Sequence, residues 1–203
     1  MSQLKTLNKR NNWKIDPDNI TVWDNFFKPE YLKILKYRVL YGKYFDKKYD
    51  NYHAINYPKN QDRITELIVN ELKQKINLPE FQKAWSFLYD EGKSGARLHS
   101  DPSLITLNTW VSDNESVQNK SKNGLVIYKI KPPSNWTEKD WNGDNDKITQ
   151  YIKINNIKPV IITYKNNRAI FFNSCYFHAS TGVSMKKGFE HSRISYTQLF
   201  GER

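Results

Sequence analysis

In Leu98-His99-Ser100-Asp101 an imidazole and a carboxylate stand two positions apart. Side chains of an extended segment alternate with period two, so both leave the same face. A second imidazole from elsewhere completes two histidines and one carboxylate. That set takes one triangular face of an octahedral ion and leaves the opposite face open, which suits a non-haem Fe(II) that activates oxygen. His178 is the candidate for the third ligand. Further on, Arg193 and Ser195 share one face of Arg193-Ile194-Ser195, where a guanidinium fork and a hydroxyl could grip a carboxylate beside the iron. Taken singly these are weak signals. A polar turn produces H-x-D by accident, His178 can cap a strand, and Arg193 can form a surface ion pair of small stabilising value.

Positioning such a set requires a β scaffold, and the second part of the chain reads as one. From Phe81 onward short β-type runs are separated by turn residues. The expected strands are Phe81–Tyr89, Ala96–His99, Leu104–Ser112, Leu125–Ile130, Pro159–Tyr164, Arg168–Phe172, His178–Thr181 and Ser192–Phe200. Before them come a strand at Ile20–Trp23, a helix opening near Pro29 with Leu32, Leu35 and Val39 on one face, and a helix from Arg63 to about Lys75. The stripe expected on the second helix is Ile64, Leu67, Ile68 and Leu72. Residues 41–60 show no clear period. Eight strands after two helices predict a mainly β fold with helical support, a double-sheet jelly roll or cupin-like barrel. Residues 1–80 then form the support and 81–203 the core of a single domain. The excursion 131–156, with a short helix at Asp146–Ile152, reads as a lid or binding loop.

The bulk properties agree with a folded chain. At 203 residues and 38% hydrophobic content it can bury a core of its own. No apolar run is long enough to span a bilayer, and the basic, polar stretch from Met1 to Trp13 lacks the apolar region of a secretory signal. Cys175 is the only cysteine, which excludes an internal disulfide and points to a reducing, cytoplasmic setting. The net charge of +11 is compatible with a nucleic-acid partner. The basic residues are nevertheless dispersed, in Lys5/Lys9/Arg10, Lys47/Lys48, Lys120/Lys122 and Lys186/Lys187, and Lys is accompanied throughout by Asn, Ile and Tyr. That pattern favours composition over recognition.

Four strings add a family likeness: Leu107-Asn108-Thr109-Trp110-Val111-Ser112, Asn123-Gly124-Leu125-Val126-Ile127-Tyr128, Asn167-Arg168-Ala169-Ile170-Phe171-Phe172 and Ser192-Arg193-Ile194-Ser195. In that order they resemble the 2-oxoglutarate- and Fe(II)-dependent dioxygenases, above all a bacterial and phage-type subgroup. The likeness runs from about Phe81 to Gly201, with Asn123 standing where relatives often carry glycine. It implies a double-stranded β-helix in which His99, Asp101 and His178 hold Fe(II). It further implies that 2-oxoglutarate chelates the iron through its 2-oxo group and adjacent carboxylate. Arg193 would meet its distal carboxylate and Ser195 would donate a hydroxyl hydrogen bond, with Tyr89 and Asn108 as further cosubstrate contacts. O2 is then consumed, succinate and CO2 are released, an unactivated C–H bond is hydroxylated, and ascorbate serves as reductant.

The remaining candidates have bland readings beside the sharp ones. Tyr89 can equally be a packed phenol, and Asn108 can serve the neighbouring strand's backbone. Arg97 shares parity with His99 and could meet an acidic substrate at the mouth, or form a solvated salt bridge. Trp110, Trp136 and Trp141 could wall a substrate pocket or belong to the core. Cys175 reads as a small packed residue, His53 as solvated, and His191 has no assigned role. Two other functions stay open: a cupin-like module that binds metal without turnover, and a nucleic-acid-directed oxygenase or demethylase. The expected substrate is a small molecule or a protein, with no membrane partner.

Overall fold

Alternation along the strands, and the hydrogen bonds that pair them, decide which side chains reach the site. The computed structural model describes residues 13–42, 45–89 and 92–203, so the basic N-terminal stretch with Lys5, Lys9 and Arg10 lies outside the described residues. The N-terminal elements are β1 (Trp13–Lys14), β2 (Thr21–Trp23), α1 (Pro29–Tyr41), β3 (Lys47–Lys48), β4 (Tyr52–Pro58), α2 (Arg63–Lys75) and β5 (Ile76–Asn77). There follow β6 (Phe81–Tyr89), β7 (Ser103–Trp110), β8 (Gly124–Tyr128), α3 (Glu138–Asn142) and α4 (Asn145–Ile154). The last are β9 (Val160–Thr163), β10 (Ala169–Asn173), β11 (Phe177–Ser180) and β12 (Arg193–Glu202). They form a seven-stranded sheet ordered β2-β10-β7-β12-β6-β4-β3 and a three-stranded sheet ordered β11-β8-β9, with β1 and β5 paired separately. Every pair within the two larger sheets is antiparallel.

Residues directly opposite one another share a face, so the register sorts the large sheet. Ala84, Leu88, Leu107, Phe171, Ile194 and Tyr196 point to one side and cluster with Leu35 and Val39 of α1 and with Ile68 and Leu72 of α2. Proline at its start preorganises α1. For α2 the Asp62 carboxylate caps the helix by accepting the Thr65 N–H at 2.7 Å, while Lys73 and Lys75 complement the dipole at its end. Its buried stripe is Thr65, Ile68, Val69 and Leu72, and Leu67 is exposed, because the helix is rotated towards Val69 relative to the expected stripe.

The opposite face carries Trp85, Phe87 and Tyr89 on β6, Arg193, Ser195 and Thr197 on β12, and Thr106, Asn108 and Trp110 on β7. Leu125, Ile127 and Ile162 of the small sheet pack over its Trp110, Ile170 and Phe172 end. The end built from β6, β4 and β3 instead floors an open cleft of about 690 Å³. All the predicted strands have counterparts except Ala96–His99. There His99 makes only an isolated bridge with His178, because other amides of the segment turn away to residues 131–156. The unpatterned residues 41–60 contain β3 and β4, and 131–156 carries α3 and α4, the latter longer than expected at both ends.

Candidate metal centre

His99, Asp101 and His178 converge, each offering one ligand atom within 4.8 Å of the others. Asp101 Oδ1 lies 3.8 Å from His99 Nε2, and Asp101 Oδ2 lies 3.5 Å from His178 Nε2. The backbone brings them together: His99 N–H donates to the His178 carbonyl at 3.0 Å and His178 N–H returns the bond at 2.8 Å. Asp101 N–H donates to the Ser174 carbonyl at 2.8 Å, fixing the turn into β7.

The outer partners prepare these groups for a cation. His99 Nδ1 lies 2.6 Å from the Arg97 carbonyl, and His178 Nδ1 lies 2.9 Å from the Tyr176 carbonyl. A carbonyl only accepts, so each Nδ1 carries a proton and each Nε2 is the nitrogen turned inward. Thr106 Oγ1 donates to Asp101 Oδ2 at 3.0 Å and is itself 2.8 Å from Ser174 Oγ. Burial alone would raise the Asp101 carboxyl, but the hydrogen bond and charge of His178, with His99 and Thr106, hold it below the usual carboxylate range. Burial, and then the neighbouring His178, push the His99 imidazole down to about 4. An ionised Asp101 beside a His99 held neutral is the protonation state that a divalent metal requires of those two groups.

The His99 shift has a consequence for the metal-free protein. Its folded pKa lies below the ordinary 6.5, so the unfolded chain takes up a proton that the folded one refuses. Its stabilising contribution is fully present above pH 6.5 and is lost as the pH falls towards about 4. Urea midpoints measured across that window are expected to decline, and His99→Gln to flatten the decline. An unaltered slope in the variant would contradict this assignment.

A second polar group lies between the sheets. Arg193 is 1% exposed, with its guanidinium 4.7 Å from the Tyr89 ring and 5.9 Å from the Trp110 ring. Nη2 donates to the Gly124 carbonyl at 3.0 Å, while Nε and Nη1 have no hydrogen-bond partner among the described residues. Burial lowers its pKa, yet guanidinium stays charged in any protein interior. The Ser195 hydroxyl, 1% exposed on the same strand face, is also unpartnered. A buried cation with idle donors beside an idle hydroxyl is costly unless an anion completes it, and a carboxylate fits that donor set. Tyr89 Oη is 3.1 Å from Ser180 Oγ, which shares a face of β11 with His178. Thus Tyr89 lies against Arg193 and is linked to the strand that carries His178. Asn108 Nδ2 donates to Thr197 Oγ1 at 3.3 Å, and its Oδ1 is unpartnered. Because the Thr197 hydroxyl can donate or accept, the amide can turn to offer its NH2 instead.

The remaining candidates fall in several places. Arg97 lines the cleft, and no ion pair involves it among the described residues. Trp110 is buried between the sheets and Trp141 within 131–156, so neither walls the cleft, and Trp136 packs beside Phe177. Trp85, which the sequence does not single out, is the tryptophan that lines it. His53 sits in β4 with its ring 5.0 Å from Phe45, not in a solvated loop. His191 lies in a short 3-10 turn with Nδ1 3.0 Å from Ser116 Oγ, and Cys175 is a partly buried free thiol. Thr106, Ser174 and Ser180 support the site without any sequence signal beyond strand parity. No helix among the described residues is long and apolar enough to cross a membrane.

No family profile and no curated protein sequence matches the chain. Solved structures do. The epimerase SnoN from nogalamycin biosynthesis, in complex with Fe3+, α-ketoglutarate and nogalamycin RO, superposes with a TM-score of 0.64 at 9% identity over 91% of this chain and 80% of that one. A Pseudomonas putida prolyl-4-hydroxylase gives 0.57 at 12% identity, covering 91% and 92%. HygX from Streptomyces hygroscopicus, with nickel, 2-oxoglutarate and hygromycin B bound, gives 0.58 at 8% identity, covering 89% and 82%. The chain shares the fold of the 2-oxoglutarate/Fe(II) oxygenases.

Proposed function

We propose that this protein is a mononuclear Fe(II)- and 2-oxoglutarate-dependent dioxygenase that hydroxylates an unactivated C–H bond. The observation that carries the reading is the pairing of a buried His-Asp-His cluster with a buried guanidinium whose Nε and Nη1 are idle. His99 Nε2, Asp101 and His178 Nε2 hold the iron. Arg193 and Ser195 bind the distal carboxylate of 2-oxoglutarate, and Tyr89 and Asn108 orient it. Leu125, Ile127 and Phe172, all buried at the same sheet interface, keep water from that space. Bound iron and 2-oxoglutarate supply the oxygen activation, with succinate and CO2 as the cosubstrate's products and ascorbate as a reductant.

The two sheets are read as a double-stranded β-helix, or jelly roll, within one domain, and the single cysteine as the mark of a cytoplasmic protein. The substrate, a small molecule or a peptide, enters the cleft above β6, β4 and β3. Wild-type protein given Fe(II), 2-oxoglutarate, ascorbate and O2 is expected to release succinate, and to stop when iron is withheld. Absence of succinate from protein that binds both iron and 2-oxoglutarate would favour a silent binding module instead.

A further inference from the structure

Residues 131–156 build a small core of their own, Trp141, Ile148 and Ile152, against Phe177 and Leu98. Those last two residues immediately precede His178 and His99. Alternation therefore sends the imidazoles to the site and their neighbours into the insertion. The backbone follows the same division. Leu98 N–H donates to Asn145 Oδ1 at 3.1 Å, and Ser100 N–H donates to the Trp141 carbonyl at 2.9 Å. His99, between them, exchanges both its backbone hydrogen bonds with His178. The Arg203 guanidinium lies 4.4 Å from the Trp141 ring, and its Nη1 is 3.5 Å from Ser100 Oγ.

We propose that the 131–156 insertion is a brace for the ligand-bearing segment, with Asn145 as the positioning residue whose amide oxygen sets the backbone on which His99 and Asp101 stand. The proposal rests on the metal-centre reading above and gives the excursion expected to be a lid or binding loop a supporting role. An extended segment bonded along one edge only, here by the His99–His178 pair and the Ser180 N–H to Ala96 carbonyl bond, keeps freedom to twist about that edge. Anchoring Leu98 and Ser100 on the other side removes that freedom and fixes where the His99 and Asp101 ligand atoms point. Asn145 also lines the cleft, so the brace stands between the substrate space and the metal segment.

Asn145 is the first residue of α4, and Asp144 caps that helix by accepting the Lys147 N–H at 2.9 Å. Alanine is a good helix former, so Asn145→Ala removes the acceptor and leaves the helix. Titration with Co(II) alone is the test, read by affinity and by the visible spectrum of the bound ion. Partners that orient metal ligands are worth about 10- to 100-fold in affinity. Asn145→Ala is expected to bind at least about tenfold more weakly, with an altered spectrum and an unchanged unfolding temperature of the metal-free protein. Asn145→Asp, which keeps an acceptor oxygen, is expected to restore most of the affinity. Wild-type protein that fails to bind Co(II) would overturn the metal centre itself. Binding by wild type and Asn145→Ala with equal affinity and spectrum would overturn the brace alone. Equal losses in the Ala and Asp variants, or losses that track unfolding temperature, would assign the effect to packing and also overturn it.

Discussion

Asp101→Ala is expected to abolish iron-dependent succinate formation and to weaken divalent-metal binding by at least about 100-fold, since it removes the only anionic ligand of the set. The carboxylate is the group that both imidazoles face, and Thr106 and Ser174 are arranged to keep it ionised. The fold should survive. The Asp101 N–H to Ser174 carbonyl bond and the His99–His178 bridge are backbone contacts that alanine retains. Deleting a buried charge also removes a desolvation cost in the metal-free protein. Metal titration and succinate release on folded variant protein check the expectation, and retention of both activities would contradict the ligand assignment.

Arg193→Leu should separate cosubstrate binding from metal binding. Removing one partner of a buried charge pair costs about 2–5 kcal/mol, so the affinity for 2-oxoglutarate is expected to fall by about 30-fold or more while metal affinity holds. Stability should move the other way. The variant loses one hydrogen bond to Gly124 but also removes a buried guanidinium with two idle nitrogen donors. Metal-free Arg193→Leu is therefore expected to unfold at the same temperature as wild type or higher. Unchanged 2-oxoglutarate affinity would remove the proposed role, and a large loss of stability would make Arg193 a structural residue. Arg193→Lys keeps the charge without the fork and should fall between.

The parts of this arrangement legible in the sequence are those with a local signature. Periodicity gives β6 and α2 their observed bounds, and H-x-D and R-x-S announce strand parity directly. β4 is not legible because its two faces meet different surroundings. Tyr57 is buried against the helices, whereas Tyr52 and Asn56 face the cleft, so polar and aromatic residues fall on both parities. Ala96–His99 alternates as a strand should, but its Leu98 amide bonds a side chain 47 positions away, a choice no local pattern encodes. Aromatic content misleads for the same reason. Trp110 and Trp141 fill cores while Trp85 lines the cleft, and only tertiary packing distinguishes them. The serines and threonine behind Asp101 and Tyr89 carry no type-specific signal, since a hydroxyl serves equally well in a turn.

In this reading two clusters, His99/Asp101/His178 and Arg193/Ser195, bind a metal and a dicarboxylate together. A crystal structure of the protein with Mn(II) and 2-oxoglutarate, located by anomalous scattering, tests it most directly. One ion is expected, held by His99 Nε2, Asp101 and His178 Nε2, with the distal carboxylate of 2-oxoglutarate on Arg193 and Ser195. An ion bound elsewhere, or a cosubstrate whose distal carboxylate leaves Arg193 unpaired, would contradict it.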